Sequence, residues 1–290
     1  MNVTLDESYA YCRSLAKRTA RNFYYSFLGL PPDRLRAMCV LYAFMRLTDD
    51  LGDDDSKPSE QRAVELVHWK EQFELAMSGG ECRHEVFPAL VDVISRFGIP
   101  HEYFLAVIEG VRMDVEPEDF QTFDDLRKYC YHVAGAVGLC CIHIWGFHDP
   151  RAVESAVECG LAFQLTNILR DLRVDAEMGR VYIPAEDLQR FEYSAADIAA
   201  ACTDGRFHRL MEFETARAKD YYRKAEELFD YLEPVGKPIL RAMLRIYGGL
   251  LAEIERRDYD VFSHQVSLPG WKKLLIAADA LLRRQWPGRT

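Results

Sequence analysis

Two segments of this chain place aspartates four residues apart on stretches that are otherwise apolar, and this restricts the fold more than any other feature. In the first, which runs from Met38 to Asp53, Met38, Leu41, Phe44 and Met45 are apolar while Tyr42, Arg46, Asp49, Asp50 and Asp53 are not. At helical pitch these five fall within an arc of roughly 120°, with Asp49 and Asp53 one turn apart. In the second, Gln164, Asn167, Asp171 and Asp175 fall within roughly 80° of one another, on a helix whose other positions include Val157, Leu161, Leu165, Ile168 and Leu172. A polar stripe on a buried helix costs free energy unless something satisfies it. Taken alone, the run from Asp49 to Asp55 reads equally well as a solvated acidic loop. Two stripes of the same kind, facing each other, make a pair of acid clusters across a cavity.

The rest of the chain supports a helical setting. Apolar residues recur with helical spacing, and no stretch keeps the two-residue alternation of a half-buried strand. The pattern predicts helices over 6–20, 33–51, 59–78, 85–97, 101–112, 123–147, 151–176, 205–232, 236–257 and 271–286. Pro31-Pro32, Pro100, Asp149-Pro150 and the Pro234–Pro238 region punctuate them. No linker or repeat divides the 290 residues, so the expectation is one all-α domain over 1–290. A net charge of −10 argues against nucleic acid as a partner. The eight cysteines lie in apolar patterns without a CxxC pair, and the N-terminus opens on Asp6 and Glu7. These features predict reduced thiols and a cytoplasmic setting. The longest apolar stretch, Val133 to Phe147, is short for a bilayer span and reads as a core helix.

Paired carboxylates with an arginine one turn away suit a metal-bridged phosphate. The acids hold the cation and the guanidinium holds free phosphoryl oxygens. Mg²⁺ is the natural ion, since it is held by one or two carboxylates together with waters and substrate phosphates. No His/Cys cluster suggests zinc, and His132 and His143 read as core or hydrogen-bonded residues. No dinucleotide-binding turn, phosphate-binding Gly loop or nucleophile elbow occurs. Phe23, Tyr25, Phe27 and Tyr129 are candidates to line an apolar pocket and to stabilise cations through their π faces.

Three motifs then carry a family resemblance over nearly the whole chain. They are Asp49-Asp50-Leu51-Gly52-Asp53 with Arg46 before it; Tyr129-Cys130-Tyr131-His132-Val133-Ala134-Gly135-Ala136-Val137-Gly138; and Gln164 through Asp171 and Asp175 to Gly179-Arg180-Val181-Tyr182-Ile183-Pro184. In this order and spacing they resemble the squalene/phytoene synthase family, closest to its bacterial presqualene diphosphate and squalene synthases. The resemblance implies an isoprenoid-synthase-type helical bundle around a central apolar cavity, with about three Mg²⁺ at its mouth (Mn²⁺ able to substitute). It implies Asp49, Asp53, Asp171 and Asp175 as metal ligands, with Asn167 a further metal or diphosphate contact. It makes Arg46, Arg170 and Arg180 diphosphate partners, as is the region of Phe23 and Tyr25. Tyr129 matches a tyrosine assigned to proton handling or cation stabilisation, while Tyr42, Asp114, Gln164 and Tyr247 match pocket residues. Two positions depart from the pattern: Val174 stands where an acid is usual before Asp175, and His264-Gln265 stands where relatives often carry a basic pair.

The implied reaction is head-to-head condensation of two isoprenyl diphosphates through a cyclopropyl diphosphate. The Phe-Tyr-Tyr-Ser-Phe and Val-Ser-Leu-Pro segments favour farnesyl (C15) over geranylgeranyl (C20) diphosphate, which makes presqualene diphosphate the expected product and phytoene synthesis the alternative. Reduction by NADPH to squalene stays open, because no motif indicates it and its absence excludes nothing. A terpene cyclase would lack the Tyr129 motif, and a head-to-tail elongase would carry a longer acidic box followed by Arg. A catalytically silent homologue serving as an assembly partner would tend to lose the acids. The tail from Trp271 to Trp286, with Leu274, Leu275, Ala278, Leu281 and Leu282 on one face and Lys272, Lys273, Arg283 and Arg284 near its ends, reads as a packed terminal helix, with peripheral contact at a membrane as the alternative. Motifs say nothing about oligomeric state.

Overall fold

A computed structural model of the chain describes residues 3–20, 29–117 and 119–282. Phe23, Tyr25 and Phe27 lie outside the described residues. The described helices are α1 (Leu5–Thr19), α2 (Pro32–Gly52), α3 (Ser59–Met77), α4 (Phe87–Phe97), α5 (Glu102–Val115), α6 (Phe123–Cys130), a π turn (Tyr131–Gly135), α7 (Ala136–Trp145), α8 (Ala152–Glu177), α9 (Ala185–Arg190), α10 (Ala195–Ala199), α11 (Gly205–Glu226), α12 (Leu228–Tyr231), α13 (Lys237–Arg256) and α14 (Gly270–Leu282). The described residues form no strand, only one isolated bridge between Phe147 and Leu232.

Local chemistry sets several boundaries. Thr4 caps α1 in a reciprocal box with Glu7, and Thr122 does the same for α6 with Asp125. Pro32 opens α2 at a position where its missing N–H is not needed. Gly98 ends α4 in the left-handed conformation, φ 59°.

The two long buried helices, α2 and α8, organise the bundle. On α2, the fully buried Phe44 ring meets Trp69, Phe73 and Phe104 at centroid distances of 5.7, 5.6 and 5.3 Å. Burying a side chain of that size is worth about 1.5–3 kcal/mol. The hydroxyl of Thr48, also sealed, donates to Phe44 O at 2.9 Å and accepts the Trp69 indole N–H at 2.9 Å, so this core helix leaves that polar group satisfied. Helix α8 is 26 residues long, about 39 Å, and packs against the π turn, α7, α11 and α13.

Sequence and structure differ in several places, among them the break at Glu227 that divides the expected helix over 205–232 into α11 and α12. The expected helix over 123–147 is interrupted by the π turn, which lies where α8 comes closest. A Cβ on Gly160 would stand 2.7 Å from Gly135 N and 2.8 Å from Ala134 C and O, so the two backbones touch there and only glycine fits. The short helices α9 and α10 were not foreseen, because neither is long enough to show periodicity. On α14 the inward residue is Ile276, which packs with Ala242 and Ile246, whereas Trp271 and Leu275 are 60% and 59% exposed. The side chains of Leu274, Leu281 and Leu282, and all of Arg283, Arg284 and Trp286, lie outside the described residues. No helix among the described residues is long and apolar enough to cross a membrane, and all eight cysteines are free thiols.

Candidate active site

The C-terminal ends of three helices bring the acids together. The last turn of α2 carries Asp49, and Asp53 caps it. The last turn of α5 carries Asp114, and the last three turns of α8 carry Asn167, Asp171 and Asp175. Asp49 keeps solvent access, and the protein packed around it, followed by the neighbouring Asp53, raises its carboxyl above the ordinary range, with Arg46 opposing and Asp114 adding to the rise. Asp175 is pushed up to about 7 by burial and then Asp171, with Arg180 opposing and Asp114 again adding. Asp114 is felt by both boxes, so the two stripes of the sequence form one electrostatic site.

Asp114 is itself at the centre of a network. Its carboxylate accepts the Tyr129 hydroxyl at 2.9 and 3.1 Å and the Tyr182 hydroxyl at 2.7 Å, while Arg180 Nη2 donates to its backbone oxygen at 3.0 Å. Burial pushes the Asp114 carboxyl up, and the two tyrosine hydroxyls pull it partly back. Burial, and then the Asp114 charge, hold the Tyr129 phenol far above its ordinary range. Tyr129 therefore keeps its proton and donates it in a hydrogen bond. Its ring lies 5.1 Å from Tyr182 and 5.3 Å from Phe120, forming an aromatic wall beside the acids. Tyr182 was quoted in the third motif without a role, and the signal that could have found it is its place two residues after Arg180. The turn at Gly179, φ 74°, starts the extended stretch that delivers both.

The arginines rest on acids. Arg46 pairs with Asp50 and Arg170 with its neighbour Asp171. Six aspartates (49, 50, 53, 114, 171 and 175) thus gather with three arginines (46, 170 and 180), leaving an excess of negative charge that favours a cation. Among the described residues no three acid, histidine or cysteine side chains converge where one ion could sit. An ion here would take one or two carboxylates from the chain and complete its shell with water and phosphate, which fits Mg²⁺. His132 and His143 bond through Nδ1 to Ala106 O (3.2 Å) and Phe97 O (3.4 Å), as core histidines do.

Below this cluster lies an apolar cavity of about 210 Å³. Gln164, Asn167 and Tyr247 line its upper end, where Asn167 donates to Gln164 Oε1 at 3.3 Å and Tyr247 stacks on Phe163 with centroids 4.4 Å apart. Its walls are small residues of α7 and α8, among them Gly138, Cys141, Ala156 and Gly160. Tyr42 is half-buried against the core, is absent from the lining of this cavity, and shares α2 with the first box. A larger groove, about 530 Å³, runs along the outer face of α5 and α6. Its Arg112 is already held by Glu109 and Glu116, and none of the site acids lines it.

Comparison with known proteins agrees with this geometry. The chain is 37% identical to a phytoene synthase of Arthrospira platensis, over 97% of this chain and 94% of that one. It is 36% identical to a 15-cis-phytoene synthase of Synechocystis, over 97% and 87%. Among solved structures it superposes on a dehydrosqualene synthase in complex with ligand at a TM-score of 0.85 (28% identity, covering 95% of this chain and 96% of the other). On a squalene synthase from Alicyclobacillus acidocaldarius the TM-score is 0.82 (29% identity, 88% and 95%). The model of the squalene/phytoene synthase family matches residues 16–272, and the chain, an all-helical protein of the isoprenoid synthase fold, belongs to that family of head-to-head prenyltransferases.

Proposed function

We propose that this enzyme joins two farnesyl diphosphates into presqualene diphosphate and releases one diphosphate. The observation that supports this reading is an apolar cavity of about 210 Å³ whose lining reaches Asn167, one helical turn from Asp171 of the acid cluster. It is small beside the ~300–1,000 Å³ of common ligand sites, and it suits one prenyl chain at the shorter end of the range. In this reading Asp49, Asp53, Asp171 and Asp175, with Asn167, hold Mg²⁺. Bound there, the ion would neutralise charge on the departing diphosphate.

The residues of the chain then divide the work. Arg46, Arg170 and Arg180 are positioned to exchange their present partners for phosphoryl oxygens. In the donor substrate the C1–O bond breaks to leave an allylic cation. The double bond of the second substrate attacks that C1, and loss of a proton closes the cyclopropane. Tyr129 is held as a donor to Asp114, so the diphosphate released in the first step is the better acceptor for that proton. The Tyr129, Tyr182 and Phe120 rings offer π faces to the cation, and the apolar walls keep out water that would quench it.

A second reading, coupling of two C20 diphosphates, is favoured by the phytoene synthase relatives at 36–37% identity. Product analysis with each substrate and Mg²⁺ separates them. Presqualene diphosphate from the C15 substrate is expected, and adding NADPH tests whether squalene follows. Efficient phytoene formation with farnesyl diphosphate left unconsumed overturns the C15 reading, and recovery of only a cyclised monomer overturns the reaction class.

A further inference from the structure

The cavity has a definite floor. Along α8 its lining runs from Asn167 down to Ala156, and along the π turn and α7 from Val133 down to Trp145, where the helix ends. Eleven residues of α-helix span about 17 Å, a depth suited to an extended prenyl chain of a few isoprene units. Above the floor the lining mixes the small residues Ala134, Gly138, Cys141, Cys159 and Gly160 with larger ones such as Val137, Phe163 and Met243. At the bottom the largest side chain is that of Trp145, flanked by Leu228 and Leu240.

Trp145 is fixed there from behind. It is 3% exposed, and Arg34 donates to its backbone oxygen. A Cβ on Gly236 would stand 2.8 Å from Trp145 Cβ, so the start of α13 packs directly against it and the side chain has no room to retreat. Its indole Nε1 is buried and has no hydrogen-bond partner among the described residues. An unpaired buried donor is destabilising, and a leucine at this place would avoid that cost. What the indole supplies in return is bulk at the blind end of the cavity.

We infer that Trp145 sets the longest prenyl chain this enzyme accepts. The inference rests on the proposed prenyl-diphosphate chemistry, yet it holds whichever chain length the native enzyme prefers. Replacing the indole with a small side chain opens space comparable to one more isoprene unit, so the length optimum should move up by one unit.

The experiment measures kcat/KM for the C10, C15, C20 and C25 all-trans diphosphates with the full chain and Mg²⁺. The native optimum tests the C15 reading, and the displacement of that optimum tests Trp145. In Trp145→Ala, the ratio for the next longer substrate over the native optimum should rise at least about tenfold, since a pocket discriminates even single methylenes by such factors. Trp145→Phe, which keeps most of the bulk and removes the unpaired donor, should retain the native optimum and melt no lower. If Trp145→Ala does not fold, Trp145→Leu, which keeps an apolar plug of smaller size, should show the same direction of shift. An unchanged optimum in a folded Trp145→Ala or Trp145→Leu enzyme overturns the inference, as does a Trp145→Phe enzyme that shifts as far as the alanine variant.

Discussion

Removing the Arg217 guanidinium is the most informative perturbation outside the active site. Arg217 stands between two acids that are almost sealed from water: Asp187 of α9 is 3% exposed and Glu214 of α11 is 2% exposed. It donates to Asp187 at 2.7 and 3.2 Å and to Glu214 at 2.8 and 2.9 Å, with its charge 4.1 Å above the Phe123 ring. Burial raises the Glu214 carboxyl, against the pull of Arg217 and with Asp187 adding to the rise, so two buried acids share one guanidinium. In Arg217→Met the negative charge of that acid pair is left uncompensated, which should cost about 3–5 kcal/mol in urea unfolding at pH 7. Adding Asp187→Asn removes that charge and should recover most of the loss. Glu214 also gives the native protein a pH signature. Above about 4.5, its ordinary value, the folded state binds the extra proton, so stability should fall as pH rises until that proton is lost, with a slope of up to about 1.4 kcal/mol per unit. Glu214→Gln should flatten the slope. A loss below about 1 kcal/mol in Arg217→Met, or a double variant no more stable than the single, would refute this account.

The other expectations bear on the site and on its framework. Asp49→Ala and Asp171→Ala should each lower turnover by at least about 10³, roughly 4 kcal/mol of barrier, with circular dichroism and melting nearly unchanged; near-normal turnover in either would sink the acid-box assignment. Gly160→Ala should destabilise by about 1–3 kcal/mol, because its Cβ meets the backbone of the π turn rather than a movable side chain, and a melting temperature equal to that of the native chain would show that the two helices do not touch as described.

Much of the architecture was legible because its signals are local. An apolar helix is recognised from the spacing of its own residues, and a proline or a left-handed glycine marks its end within a few positions. The pairs Asp49/Asp53 and Asp171/Asp175 stand out for the same reason: acids at i and i+4 on an otherwise apolar helix are visible in the local sequence, whatever lies across the cavity. The π turn was not, since it is demanded by α8, which begins seventeen residues after it. Nothing within Tyr131–Gly135 separates it from an ordinary turn of helix except Gly135, whose purpose is visible only beside Gly160.

The same distinction explains why the acid boxes could be read from spacing, whereas Asp114, which joins them, entered only through the family resemblance. Asp114 sits one residue before its helix ends, Pro117 follows before the acid at i+4, and its partners come from Tyr129, fifteen residues on, and Tyr182, sixty-eight residues on. Only the fold brings these three together. In the proposed reaction, a tyrosine whose hydroxyl is committed to the Asp114 carboxylate is a poor base and a well-oriented ring, which favours the diphosphate as proton acceptor. The latch at Arg217 belongs to the same logic. Helix α9 begins three residues after Tyr182, its amides at Ala185 and Glu186 donate to Phe120 O and Gln121 O, and its Asp187 is the acid that Arg217 holds. The aromatic wall of the site is therefore fixed by a charge network on its far side, where no sequence motif pointed.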